Sequence, residues 1–284
     1  MAFHPDFDHF PFVYLSLSYS EGGEIANKLI RMSYDGTNLG EEEILLAGIN
    51  GAVFHDGSRL AVGPDDLIYM TTGDARQSEL AQDIASLSGK ILRLDLDGQP
   101  ATDNPFGNEI YSLGHRNPQG LVFHPVTGDL YITEHGPQDN DEVSIIVAGG
   151  NYGWPAVHGF VDDDVVGETA FDQRISVIEP IAAWTPTIAP AGAEFYRSGT
   201  GVGIEGWDGD LLFATLKGGS LIRLELSPDG QSVIRQQTIA EKQYGRLRDV
   251  AVGPDGTLYL ATSNRDGRGQ PAPEDDRILI ISRE

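Results

Sequence analysis

The chain has 284 residues, no cysteine, 43 acidic against 19 basic residues, and a formal charge of −24. The missing cysteines remove disulfides, zinc–thiolate sites and thiol nucleophiles, and the negative excess repels nucleic acid and anionic membranes. No apolar run approaches the roughly 18 residues of a membrane span, and no basic start leads into an apolar stretch as in a signal peptide.

With 40% hydrophobic residues there is material for a core, and 35 glycines and 16 prolines punctuate short apolar runs. That is an all-β pattern. Turns built on Pro5, Pro64, Pro125, Pro190 and Pro254 recur at steps of 59, 61, 65 and 64 residues. An inner-strand run follows each: FVYLSLSY from Phe12, LIYMTTGD from Leu67, LYITEHG from Leu130, AEFYRS from Ala193, LYLATSN from Leu258. A third run closes most units: KLIRMSYDG from Lys28, KILRLDLDG from Lys90, VSIIVAGG from Val143, SLIRLELSPDG from Ser220, RILIIS from Arg277. Multi-strand units at this period read as propeller blades, each burying its faces against its neighbours. Five units are counted over one domain, 1–284. The Pro190 unit reads as irregular, because Asp210–Thr215 adds a strand. The weak helix pattern from Ser78 to Leu87 reads as a loop excursion.

Loops from all blades of a propeller reach one end of its channel, so loop-borne polar residues far apart in sequence are weighed individually. His55, just before a strand in Phe54-His55-Asp56-Gly57, is a plausible base near neutral pH; a solvated loop histidine is the bland alternative. Arg116 and Asn117 follow His115 in a Gly-His-Arg-Asn-Pro turn, where a guanidinium and an amide suit an oxyanion or quinone carbonyl, or merely hold the turn. Lys217 follows an apolar strand. Arg246 and Arg248 alternate about Leu247, so both side chains point to one face of an extended segment, where two like charges call for an anion between them. The Glu134–Glu142 loop (EHGPQDNDE) is rich in oxygen ligands of the kind calcium takes, without EF-hand spacing. No GxGxxG after a strand, P-loop, HExxH or GxSxG occurs, so nucleotide and serine-hydrolase readings lack support.

The ordered set MAFHPDF, FHDGSRLAVGPD, LSGKILRLDLDG, LGHRNPQGL, EHGPQDNDE, GGNYGWP, PTIAP, LKGG, YGRLRDV and ATSNRDG resembles the soluble quinoprotein sugar dehydrogenases almost from end to end. These are aldose and glucose dehydrogenases that use pyrroloquinoline quinone (PQQ) and calcium on a six-bladed β-propeller. The resemblance implies a PQQ- and calcium-dependent oxidation of aldoses to lactones. His55 would be the base that takes the C1 hydroxyl proton as hydride passes to the quinone. Arg116, with Asn117 beside it, would polarise the quinone carbonyls. Thr187, Lys217, Arg246 and Arg248 would hold the cofactor's carboxylates, which answers the need for an anion. The carbonyls of Gly136 and Pro137 would hold calcium against the cofactor, and Asp141 would be an acid near the substrate. Glu142 and Tyr152, with the His158 carbonyl and Asp162, would form a second, structural calcium site. It further implies a periplasmic or secreted protein, monomeric or homodimeric, with an unidentified electron acceptor.

Two departures stand out. The glucose enzymes carry glutamine at the position of His135 and an aspartate near Ser263 or Asn264, and their long substrate loops have no counterpart here. The resemblance also places a whole blade and a glycine-rich connection before the segment matching Met1–Phe7. About one blade, with any signal peptide, therefore lies outside this sequence, through truncation or as a five-unit form. A calcium-bearing binding module and a calcium-dependent lactonase are the alternatives; neither explains the conjunction of His55, Arg116, Lys217, Arg246 and Arg248.

Overall fold

A computed structural model describes residues 1–200 and 203–281. The chain divides into two compact units, Met1–Pro118 with Ile146–Glu179, and Gln119–Ile145 with Pro180–Glu284.

The first unit holds two antiparallel sheets. One runs β1 (Ala2–Phe3), β2 (Phe12–Glu21), β3 (Glu24–Ser33), β4 (Glu43–Asn50); the other runs β5 (Leu60–Val62), β6 (Ile68–Thr71), β7 (Lys90–Leu94), β8 (Ile110–Leu113), both in chain order. Every residue of β6 and β7 is buried, whereas β4 is largely exposed. β6 and β7 are accordingly mostly apolar, with Lys90 and Arg93 as charged exceptions, and an outer strand needs only one apolar side. Tyr14, Leu29, Ile49, Ile68, Met70, Leu92, Leu94 and Ile110 form one core, each contributing about 1.5–3 kcal/mol by leaving water.

The second unit holds three sheets. They are β9 (Pro118–Phe123), β10 (Leu130–Glu134), β11 (Asp141–Ile146), β12 (Ala182–Trp184); then β13 (Pro190–Phe195), β14 (Leu211–Thr215), β15 (Leu221–Leu226), β16 (Val233–Ile239); then β17 (Leu247–Val252), β18 (Leu258–Thr262), β19 (Ile278–Ile281). Two cores serve them, one around Tyr131, Phe195, Phe213 and Leu224, the other around Tyr196, Leu212, Leu247 and Leu260. Among the described residues no helix is long and apolar enough to cross a membrane.

The five-unit count holds, with three corrections. The Pro190 unit is a four-stranded sheet with no strand beyond the usual number, though with register shifts at Pro190/Ala193 and Glu225/Leu226: AEFYRS lies in and just after its first strand, and β14 is its inner strand. The proline of Ala189-Pro190 opens β13 instead of turning between strands, which puts that unit out of phase with the others in the sequence pattern. Fourth strands close four of the sheets; the largely exposed β16 carries no apolar run to betray it. Finally, Ser78–Gln82 forms a 3-10 turn inside the expected excursion, and an unforeseen helix α1 occupies Glu168–Ile175. Its eight residues, ETAFDQRI, lack an apolar stripe of helical period.

Candidate functional site

In the first unit, three loops at the ends of β5, β6 and β8 are stitched together. Ala75 N donates to His55 O (3.1 Å) and Asp74 N to Arg116 O (2.8 Å). Gly57 N donates to Asn117 Oδ1 (3.2 Å), and Thr71 Oγ1 to Pro118 O (3.1 Å). Gly73 permits this approach: a Cβ there would lie 1.8 Å from His55 O.

Asp74, which no sequence motif singles out, is the hub. Its side chain is almost fully buried; Oδ1 faces His55 Nδ1 at 2.9 Å and accepts Arg76 N at 2.8 Å, while Oδ2 accepts the Trp154 indole N–H at 2.9 Å. A carboxylate only accepts, so the His55 proton sits on Nδ1 and Nε2 keeps its lone pair. That is the tautomer a base requires. The Arg116 guanidinium lies over the Trp154 ring, 5.2 Å from its centroid. Trp154 is anchored in turn by Gln82, whose Nε2 donates to Trp154 O at 2.7 Å and to Asn151 Oδ1 at 3.0 Å. His55, Arg116 and Asn117 are thus brought together, with Asp74 and Trp154 joining them. The one local signal for Asp74 is the Gly-Asp that ends an inner strand.

His115 is fully buried, stacks on Tyr152 at 4.7 Å and faces Ser112 Oγ at 2.9 Å; its part is to set the turn. Elsewhere in this unit, Glu168 of α1 is fully buried. Its Oε1 accepts His158 N at 3.0 Å, and among the described residues no donor reaches Oε2. A buried carboxylate oxygen without a donor is costly unless a cation meets it. Asp162 is exposed and accepts Asp164 N at 3.0 Å.

In the second unit, Asp141 is buried and clamps two loops. Oδ1 accepts Gly136 N at 2.8 Å, and Oδ2 accepts Ile188 N and Ala189 N, both at 2.6 Å. Burial pushes its carboxyl up, against the pull of these amides and of the Lys217 charge. The clamp fixes the backbone carrying Gly136 and Pro137 and the stretch carrying Thr187. A side chain at Gly136 would strike Asp139 O at 1.9 Å, so the loop closes only around glycine. Lys217, exposed, donates to Thr187 Oγ1 at 2.6 Å. His135 faces Pro190 O through Nε2 at 2.7 Å.

The anion expected between Arg246 and Arg248 is supplied by the chain itself. Asp266 Oδ2 lies 2.8 Å from Arg246 Nη2 and 3.7 Å from Arg248 Nη2, and Arg246 Nε also donates to it at 2.8 Å. Despite burial, the Arg268 amide and these guanidinium groups hold the Asp266 carboxyl below its usual value. Glu142 is half-buried beside Asp141 on β11. Among the described residues no three His, Asp or Glu side chains group as a metal cage; a cation here would rest mainly on carbonyl oxygens.

A family model described as Glucose / Sorbosone dehydrogenase matches residues 1–279. The quinoprotein glucose dehydrogenase B of Acinetobacter calcoaceticus is 32% identical, over 95% of this chain and 73% of its own length. Among solved structures, an oxidoreductase of Thermus thermophilus described as a glucose dehydrogenase is 44% identical, with TM-score 0.84 over 98% of this chain and 81% of its own. The PQQ-bound aldose sugar dehydrogenase of Streptomyces coelicolor is 36% identical, with TM-score 0.81 over 98% of this chain and 77% of its own. The chain therefore belongs to the glucose/sorbosone dehydrogenase family, and its five sheets are blades of that family's all-β propeller.

Proposed function

We propose that the protein oxidises aldose sugars to lactones with PQQ and calcium. The observation that carries this reading is the His55–Asp74 pair, a histidine held in the tautomer that leaves Nε2 as a proton acceptor. Bound PQQ would supply the hydride acceptor, taking two electrons and the C1 hydrogen. His55 Nε2 takes the C1 hydroxyl proton, and Asp74 stabilises the imidazolium that results. Arg116, steadied on Trp154, polarises the acceptor's carbonyls. The resemblance gives the carboxylates of a tricarboxylic acid to Thr187, Lys217, Arg246 and Arg248, and at the two arginines the cofactor would have to share or displace Asp266. Asp141 acts as a positioning residue for the loops that present Thr187 and the Gly136 and Pro137 carbonyls. Those carbonyls would hold one calcium; Glu168, with its open Oε2, supports a second calcium in company with His158, Asp162 and Tyr152 of the same unit.

The test is dye reduction by the purified protein loaded with PQQ and calcium, across a panel of aldoses. Sugar-dependent reduction that vanishes in His55→Ala supports the reading. Turnover undiminished in His55→Ala overturns the assignment of the base, and hydrolysis of lactones without PQQ overturns the redox reading.

A further inference from the structure

Beside His55 lies a feature that proton transfer does not use. The Phe54 ring stands edge-on to His55, centroids 5.0 Å apart, and is 40% exposed. The exposed Arg76 guanidinium covers that ring at 4.7 Å from its centroid. A base, an aromatic ring and a cation thus follow one another in contact.

The arrangement is built, not incidental. Arg76 N donates to Asp74 Oδ1, the same oxygen that holds His55. His55, Ala75 and Arg76 all adopt left-handed backbone, with φ of 74°, 49° and 64°. Such conformations in residues other than glycine persist only where the surroundings enforce them, and they gather at ligand sites. Arg76 has no acidic partner among the described residues, a state it shares with Arg174, Arg197, Arg235 and Arg265, so its guanidinium is open to an anionic ligand.

We propose that Phe54 and Arg76 form a subsite for the carboxylate end of an acidic aldose, a hexuronic acid, whose C1 hydroxyl meets His55. This rests on the dehydrogenase reading. The sugar's apolar face lies on Phe54, and the guanidinium takes the C6 carboxylate in its two-pronged geometry. The overall charge of −24 disfavours anionic substrates at long range. Salt screens that repulsion beyond about 8–10 Å, so a contact cation decides whether an acidic sugar is retained.

The experiment compares kcat/KM for D-glucuronate and D-glucose in the PQQ- and calcium-loaded protein, for wild type, Arg76→Gln and Arg76→Lys. The expected result is a wild-type preference for glucuronate. That ratio falls about tenfold in R76Q, the loss of one charge-assisted contact, and less in R76K. A ratio that R76Q leaves unmoved overturns the subsite, as does oxidation of glucose without glucuronate. Failure to oxidise either sugar overturns the dehydrogenase reading and the subsite with it.

Discussion

Lys90 offers the sharpest test of the physical account, because its behaviour runs against intuition. The side chain is fully buried, and its ammonium donates to Leu80 O at 2.7 Å, Ala81 O at 3.0 Å and Ser88 O at 2.7 Å, with no carboxylate paired to it among the described residues. It pins the excursion that carries Gln82, and through Gln82 the Trp154 platform. Burial pushes the ammonium down from 10.5 to about 8, with only Asp83 acting against it. The sign follows from proton counting. Between pH 8 and 10.5 the unfolded chain keeps this proton and the fold has released it, so stability rises with pH in that window. A shift of this size is worth about 3 kcal/mol in full, of which about 2 kcal/mol falls between pH 7 and 9.5. Lys90→Met removes the titration and the three bonds together. The mutant should therefore be less stable at pH 7 and lag further at pH 9.5, the gap widening by about 2 kcal/mol. Denaturant unfolding of both proteins at the two pH values measures it. Stopping at 9.5 avoids buried tyrosines such as Tyr131, pushed up to about 12 by burial, which reinforce the fold's preference for the neutral phenol and reverse the trend once free tyrosine ionises. A gap that stays constant or narrows would refute the reasoning.

Three further outcomes are expected. Asp74→Asn should lower kcat by about 10²–10⁴, since an amide can present N–H to Nδ1 and turn the imidazole to the wrong tautomer; its PQQ affinity should stay near wild type, and a variant that instead loses PQQ would mark Asp74 as a scaffold residue only. Asp266→Asn should tighten PQQ binding several-fold, because the carboxylate now neutralises Arg246 and Arg248 and competes with the cofactor; weaker binding in a fluorescence titration would show that Asp266 serves to aim the arginines. Calcium at a hundred times its Kd should stabilise the wild-type protein by about 2.7 kcal/mol per site, read as a rise in Tm, and Glu168→Gln should remove one site's share of that rise; an equal rise in both proteins would remove Glu168 from the calcium ligands.

How much of this was legible in the sequence depended on whether a local pattern carried the signal. Inner strands such as β6, β10 and β18 are dense apolar runs after a turn, so they can be read and counted. The β13–β16 sheet defeats that reading because Pro190 opens a strand there, and the identical residue type at a different ladder position looks the same in one dimension. Of the site, His55, Arg116, Lys217 and Arg246 stand out as polar residues just outside strands, and Arg248 by its alternation with Arg246 at the start of β17, helped by resemblance. Asp74, Trp154, Asp266 and Glu168 do not. Their roles depend on partners 19, 80, 20 and 10 residues away, and no spacing rule links an aspartate to an indole that far along the chain. Asp141 is visible in the sequence, but as an acid near substrate; only its burial under three backbone amides reveals a clamp.

The bond from Asp74 to residue 76 is made to a main-chain amide. That detail separates what selection can change from what it cannot. Any residue that tolerates the left-handed backbone at 76 supplies the same N–H, so the side chain there can drift, or be redesigned, while the imidazole next door stays in register. The fold thus offers an interchangeable socket beside fixed chemistry, and sugar preference could diversify among such enzymes, or be tuned for an electrode, by exchanging one exposed side chain without rebuilding the catalytic pair.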